Sequence, residues 1–317
     1  MNVTVFGAGG MGLYFAAMLA RVGHQVTVVG RASTVAAAAE PLVLGHGAVE
    51  ISVPGIRAVT EVPADAEPAD LIVVTVKAWQ VAEAAKTLQP LIGPRTAVLP
   101  VQNGVEAAAD LAEVLGEEHI LGCTCVVIAQ RLGPWQVRCL GAHATVEIGA
   151  LAADSSRPVG VGAWDPVEDV AAVLTAAGIG VTRSVDIQAT LWRKLMLIAS
   201  YGGVGALARQ PVGVTRSEPA TAELVRAAMQ EVAAVARARG IALGDADVEQ
   251  MLAVYRGFSS DTTSSMQRDL AAGHPSELEY QNGAVVRFGR AAGVPTPIHQ
   301  TIFASQLPGE QRARQLR

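Results

Sequence analysis

Apolar positions in the first hundred residues fall into short unbroken runs separated by helical stripes. Residues 2–6 (Asn-Val-Thr-Val-Phe), 25–29, 70–76 and 96–101 are rich in β-branched residues and show no polar face. Strands buried on both sides of a parallel sheet read this way. Between the first two runs, Tyr14, Phe15, Met18, Leu19 and Val22 recur at helical spacing, and Gly23 offers a C-cap. A second helix is predicted over residues 81–91. Strand and helix in alternation predict a doubly wound α/β sheet. Two departures interrupt it. Residues 41–44 and 49–53 flank Gly45-His46-Gly47 and predict an inserted hairpin. Residues 120–129, 135–140 and 145–148 read as further strands, expected to extend the same sheet, partly antiparallel. A Pro/Gly-rich loop over 158–164, a helix over 167–177 and a short strand at 181–182 complete this half.

Beyond Asp186 the period changes to helical throughout. Ile187, Leu191, Leu195 and Ile198 share one face, and residues 195–199 are apolar all round, so the end of that helix is predicted to be buried. Lys194 falls on the edge of this buried face, where an ammonium needs a partner or a task, or snorkels with its stem on the apolar side. A long alanine-rich helix is predicted over 217–239, capped by Ser217. Its stripe of Leu224, Ala228, Val232 and Val235 packs on its own domain or on a second copy, as a homodimer would have it. Further helices are expected from Asp245 to about 255, from Ser260 or Asp261 to 270, and from a Ser276–Glu279 capping box to 291. A last helix follows Pro297, and the charged tail 309–317 is expected to fray. The domain boundary is placed at 184, giving domains 1–184 and 185–317.

Chemistry enters at Gly7-Ala8-Gly9-Gly10-Met11-Gly12. The G-x-G-x-x-G spacing stands between a strand and a helix, with a second strand following. That is the context in which the pattern marks a Rossmann dinucleotide site. Gly7 permits the turn, Gly9 lets a pyrophosphate reach the backbone, and Gly12 lets helix and strand approach. Gly7, Gly9, Gly10, Met11 and Gly12 are therefore the candidate cofactor-binding turn, with the helix N-terminus holding the phosphates. An NAD site carries Asp or Glu at the end of the second strand. Gly30-Arg31-Ala32-Ser33 stands there instead. The fork of Arg31 suits a 2′-phosphate, so the expected cofactor is NADP(H). Ligands of open parallel sheets sit beyond the carboxyl ends of the strands. Lys77 follows the third run and faces the cofactor crevice, or else caps its strand in solvent. Asn103 follows the fourth, poised toward nicotinamide or substrate, or simply forms an Asn-Gly turn.

Composition narrows the class. Of 317 residues half are hydrophobic and 17% charged, with a formal net charge of −5. No basic run is present, which argues against nucleic acid. No apolar segment is long enough to span a bilayer. A strand starting at residue 2 leaves no signal peptide, so a cytoplasmic protein is expected. Cys123, Cys125 and Cys139 are an odd set, suited to a reducing compartment, and no metal-ligand spacing appears.

Five landmarks in order resemble the ketopantoate reductase (2-dehydropantoate 2-reductase) family: the glycine turn, Val76-Lys77-Ala78-Trp79-Gln80, Gln102-Asn103-Gly104, Trp192-Arg193-Lys194-Leu195, and Ser264-Ser265-Met266 followed by Ser276-Glu277-Leu278-Glu279-Tyr280. The resemblance covers nearly the whole chain. It implies a Rossmann domain joined to an all-α domain similar to the C-terminal domain of phosphogluconate dehydrogenase. It implies NADPH-dependent reduction of ketopantoate to pantoate, on the route to pantothenate. By the same resemblance Lys194 is the general acid, Lys77 and Asn103 contact the cofactor and order the site, Ser265 binds the substrate carboxylate, and Glu277 takes the substrate hydroxyl near Lys194. Three positions depart from the family: Ile198, Gly202 and Thr262 stand where asparagines are expected. Each swap removes an amide, which leaves open a different 2-oxo acid or ketone, or an NADP-binding sensor without turnover.

Overall fold

The computed structural model describes residues 1–141, 143–151 and 164–316. Apart from Trp164, the predicted Pro/Gly-rich loop lies outside them. The chain divides into two compact units, Met1–Gln102 with Glu106–Ile187, and Asn103–Val105 with Gln188–Arg317.

The first unit is built on five parallel strands. They are β1 (Asn2–Phe6), β2 (Gln25–Val29), and, after the short helix α2 (Ala32–Ala37) and the hairpin β3 (Leu42–His46) and β4 (Val49–Val53), β5 (Arg57–Val59), β6 (Leu71–Val74) and β7 (Ala97–Pro100). Their order is β5-β2-β1-β6-β7. Helix α1 (Gly10–Ala20) links β1 to β2 and is buried over most of its length. Helices α3 (Val81–Leu88) and α4 (Ala107–Leu115) cover the other face, packing Val81, Ala85, Leu88 and Leu111 against Ile72, Val74 and Val98. Burial on both faces is why these strands carry no polar alternation.

The remaining strands correct an expectation. β8 (Leu121–Val126), β9 (Ala129–Gly133), β10 (Gln136–Cys139), β11 (Thr145–Ala150) and β12 (Gly180–Arg183) do not extend the central ladder. β9 and β10 join the hairpin in a sheet of order β4-β3-β10-β9, while β8, β11 and β12 form a third, of order β12-β11-β8. One isolated bridge, Val98 to Ile120, links the third group to β7. The reason lies in β7. Ala97 and Val101 turn their N–H groups to β6, donating to Asp70 and Val74. Val98 and residue 100 therefore face the other way, and Pro100 has no N–H to offer. The ladder can go no further. Helix α5 (Pro166–Ala176), capped by Asp165 accepting from Val167 and Glu168, packs beside β11 and β12.

The second unit is helical: α6 (Ile187–Ala208), α7 (Val212–Ser217), α8 (Pro219–Ala238), α9 (Asp245–Gly257), α10 (Ser265–Ala271), α11 (Asn282–Ala292) and α12 (Pro297–Gln315). α6 is its axis. Three of its glycines admit neighbours that a Cβ would repel: Ser264 at Gly202, Asn282 and Ile302 at Gly203, and Gln267 at Gly205. None of the helices of the described residues is long and apolar enough to cross a membrane.

Four local expectations fail here. α8 is capped by Glu218 rather than Ser217, whose hydroxyl donates back to Gly213. α10 starts at Ser265, capped by Ser264, several residues later than expected. Ser276 opens no helix: α11 begins at Asn282, and Glu279 pairs with Arg287 instead. The tail does not fray. α12 runs through Pro308 to Gln315, with buried Glu310 accepting from Ser276 N at 2.9 Å and Ser276 Oγ at 2.6 Å.

Candidate active site

The glycine turn fits a dinucleotide by the space it leaves. Gly7 has φ +113°, and a Cβ there would lie 2.8 Å from Thr75 Oγ1. That hydroxyl donates to the carbonyls of Phe6 (3.1 Å) and Gly7 (2.8 Å), tying the turn to the end of β6. A Cβ on Gly12 would stand 1.9 Å from Gly7 O, so the helix start rests directly on the turn. At Gly9, the N-cap of α1, a Cβ would meet nothing within 4 Å. The one glycine whose side is open is the one at which a pyrophosphate must touch backbone. Gly10 is different: a Cβ would stand 2.2 Å from Ala129 O, so β9 also demands a glycine there. Met11 is partly buried against the core.

Arg31 follows β2 as the exposed N-cap of α2. No carboxylate is bonded to it among the described hydrogen bonds and ion pairs. Lys77 caps a short turn over Ala78–Gln80, with its Nζ 5.9 Å from the centroid of the Trp79 ring. Gln102, quoted with Asn103 as part of the resemblance but given no role by it, is buried. Its amide donates to Val74 O and Val76 O, both at 2.9 Å, bracing the ends of β6 and β7. Its Oε1 is buried with no partner among the described residues. The signal that could have found it was its place beside Asn103 at a strand end. Thr75 had the same signal.

The helical unit gathers the other candidates. Asn103 and Gly104 pack with this unit, and a Cβ on Gly104 would lie 2.9 Å from Tyr280 O. Asn103 Nδ2 donates to Glu277 Oε2 at 3.3 Å. Glu277 is 6% exposed. It sits in a turn ahead of α11, its carbonyl accepting from Tyr280 and Gln281. A carboxylate at a helix's first turn would suit the macrodipole, but Glu277 is not in a helix.

Lys194 is partly buried on α6, one turn before Ile198 and two before Gly202, on the same face. Two turns on, that face meets Ser264, whose Oγ would lie 2.6 Å from a Cβ on Gly202. Ser264 caps α10, and Ser265 is its first residue. The neighbouring Arg193 turns aside to Asp247 at 2.6 Å. Burial alone would raise the Asp247 carboxyl, but hydrogen bonds from Arg193 and Gly244 hold it below its ordinary value.

Comparison with known proteins gives the family of the chain. The family profile described as "Ketopantoate reductase PanE/ApbA" matches residues 3–153, and "Ketopantoate reductase PanE/ApbA C terminal" matches residues 186–305. A 2-dehydropantoate 2-reductase of Caulobacter vibrioides is 30% identical over 304 residues, covering 96% of this chain and 97% of its own. One from Mycobacterium tuberculosis is 31% identical over 325 residues, covering 97% and 99%. A PanE/ApbA family ketopantoate reductase from Ralstonia eutropha superposes with a TM-score of 0.84 at 31% identity, covering 99% of this chain and 100% of that one. With a dinucleotide turn in one unit, a lysine-bearing helix in the other, and both family profiles across them, the chain is an oxidoreductase acting on CH–OH groups and belongs to the ketopantoate reductase family.

Proposed function

We propose that the chain reduces a 2-oxo acid to a 2-hydroxy acid with NADPH, and that the first substrate to try is ketopantoate, giving pantoate for pantothenate. In this reading residues 1–184 hold the cofactor and 185–317 the substrate, in the cytoplasm. The observation that carries it is the bond from Asn103 Nδ2 to the buried Glu277 carboxylate. It unites two candidate residues far apart in the chain, and burying a carboxylate calls for such a partner.

When bound, reduced nicotinamide supplies a hydride to the keto carbon. Everything else falls to side chains. The Lys194 ammonium polarises the carbonyl and gives its proton to the oxygen as negative charge develops there. The Ser265 hydroxyl, at the start of α10, donates to the substrate carboxylate. Glu277 accepts from the substrate's hydroxyl, with Asn103 fixing the orientation of its carboxylate. Gly7, Gly9, Gly10, Met11 and Gly12 form the phosphate cradle, Arg31 meets the 2′-phosphate, and Lys77 reaches the cofactor from the end of β6.

The test is NADPH oxidation followed by absorbance with purified protein and ketopantoate. Lys194→Ala should lower kcat by about 100- to 10,000-fold while the melting curve stays in place. Full turnover in that variant removes Lys194 from the chemistry.

A second reading, a related reductase of a different 2-oxo acid or ketone, is favoured by one observation. Ser264 packs against Gly202, and a Cβ there would lie 2.6 Å from Ser264 Oγ, so a larger side chain would have to displace Ser264. Ile198, between Lys194 and Gly202, adds an apolar surface. A site so lined favours a substrate with an apolar substituent and no hydroxyl. Across a panel of 2-oxo acids, a higher kcat/KM for branched apolar ones than for ketopantoate would support this second reading.

A further inference from the structure

β9 runs past the opening of the glycine turn. A Cβ on Gly10 would lie 2.2 Å from Ala129 O and 3.2 Å from Arg131 N. Arg131 then reaches toward the end of β2. Its Nη2 donates to Thr34 Oγ1 at 3.5 Å, in the first turn of the helix that Arg31 caps. Its Nε donates to Gly133 O at 2.9 Å and its Nη2 to Pro134 O at 3.2 Å. These bonds aim the planar fork and leave Nη1 without a hydrogen bond among the described residues. Thr34 is itself fixed: it is 1% exposed and its side chain abuts Gly30.

The surroundings of Arg131 are one-sided. Burial, and after it the nearby charge of Arg31, push its guanidinium below the ordinary arginine value, and its hydrogen bonds among the described residues go to carbonyls and a hydroxyl. Arg131 bonds to the helix that Arg31 caps, and like charges near one another repel until an anion arrives to be shared between them. The place is the end of the second strand, where a Rossmann site holds the ribose 2′ substituent. Two arginine forks suit a phosphate monoester better than one.

We propose that Arg131 is the second cation of the 2′-phosphate site, gripping from β9 the group that Arg31 meets from the end of β2. The inference rests on the NADPH reading above and deepens it. The competing role is purely structural, a clamp on the turn between β9 and β10 through the Gly133 and Pro134 carbonyls.

Titration calorimetry with 2′,5′-ADP and with 5′-ADP separates the two, without turnover. The wild-type chain should bind 2′,5′-ADP more tightly. Arg131→Gln should weaken 2′,5′-ADP by about 10- to 100-fold and leave 5′-ADP nearly unchanged. Arg131→Lys, which keeps the charge and loses the fork, should fall between. Thr34→Val removes the hydroxyl that aims the fork and should weaken 2′,5′-ADP selectively, by less. It decides the matter if Arg131→Gln does not fold. Equal weakening of both nucleotides, or of neither, overturns the role of Arg131. If the wild-type chain binds both nucleotides equally, the NADPH reading itself fails and the proposal falls with it.

Discussion

Arg31 closes the second strand with a guanidinium where a ribose-binding acid would select NAD. Arg31→Ala should therefore raise the KM for NADPH well beyond any change for NADH, about tenfold or more for one lost charge-assisted contact. Equal effects on both cofactors would remove the phosphate assignment. Much at this scale was legible before any coordinates. A G-x-G-x-x-G between strand and helix announces its job because only glycine tolerates the φ of +113° at Gly7 or the 1.9 Å approach at Gly12. The contacts of Gln102 and Arg131 were not legible, although Gln102 stands beside Asn103 at a strand end. Both act through contacts with residues 26 or more positions away, Gln102 on Val76 and Arg131 on Thr34. Nothing in their immediate sequence records those contacts.

At the level of elements, the end of the chain is the instructive case. The charged tail over 309–317 is expected to fray, yet α12 holds to Gln315. Glu310 explains it: at 2% exposure it accepts from Ser276 and pairs with Arg314 at 2.7 Å. Glu310→Ala should cost about 2–3 kcal/mol, because Ser276 N and Oγ lose their acceptor in a buried place. The urea midpoint measures it, with the more exposed Arg314→Ala expected to cost less. An unchanged midpoint in Glu310→Ala would mean that this contact does not hold the tail. Ser276 Oγ donates to Glu310 and accepts from Leu278 N, as an N-cap would, yet residues 277–281 only turn and α11 begins at Asn282.

Across the whole molecule, one buried group sets a pH limit. His299 is fully buried, with Nε2 3.0 Å from Ala228 O and Nδ1 3.0 Å from Asn282 Nδ2. Burial lowers its pKa to about 4 from 6.5. The unfolded chain takes up a proton at this residue below pH 6.5 and the folded chain does not until about pH 4. The stabilisation is therefore complete above 6.5 and is lost as pH falls toward 4, by about 3 kcal/mol in all. Glu231 accepts from Ile298 N and His299 N, and burial raises its pKa, so it titrates in the opposite sense. The readout is thus the difference between wild type and His299→Gln in urea stability from pH 7.5 to 4.5. A wild-type curve no steeper than the variant's would rule His299 out as the source.

The sequence by itself determined where the central strands lie, where the chain must turn on glycine, and that helices take over after Asp186. Those are properties of period, side-chain shape and φ, all set within a few residues. Only the tertiary structure decided which strands pair. A buried apolar run looks the same in any sheet, and here the missing N–H of Pro100 stops the ladder at a bridge from Val98 to Ile120. Tertiary structure also decided that Asn103, at the end of a nucleotide-unit strand, packs with the helices and meets Glu277. Local pattern carries no record of such a meeting, because its energy comes from burial and pairing across 174 positions of chain.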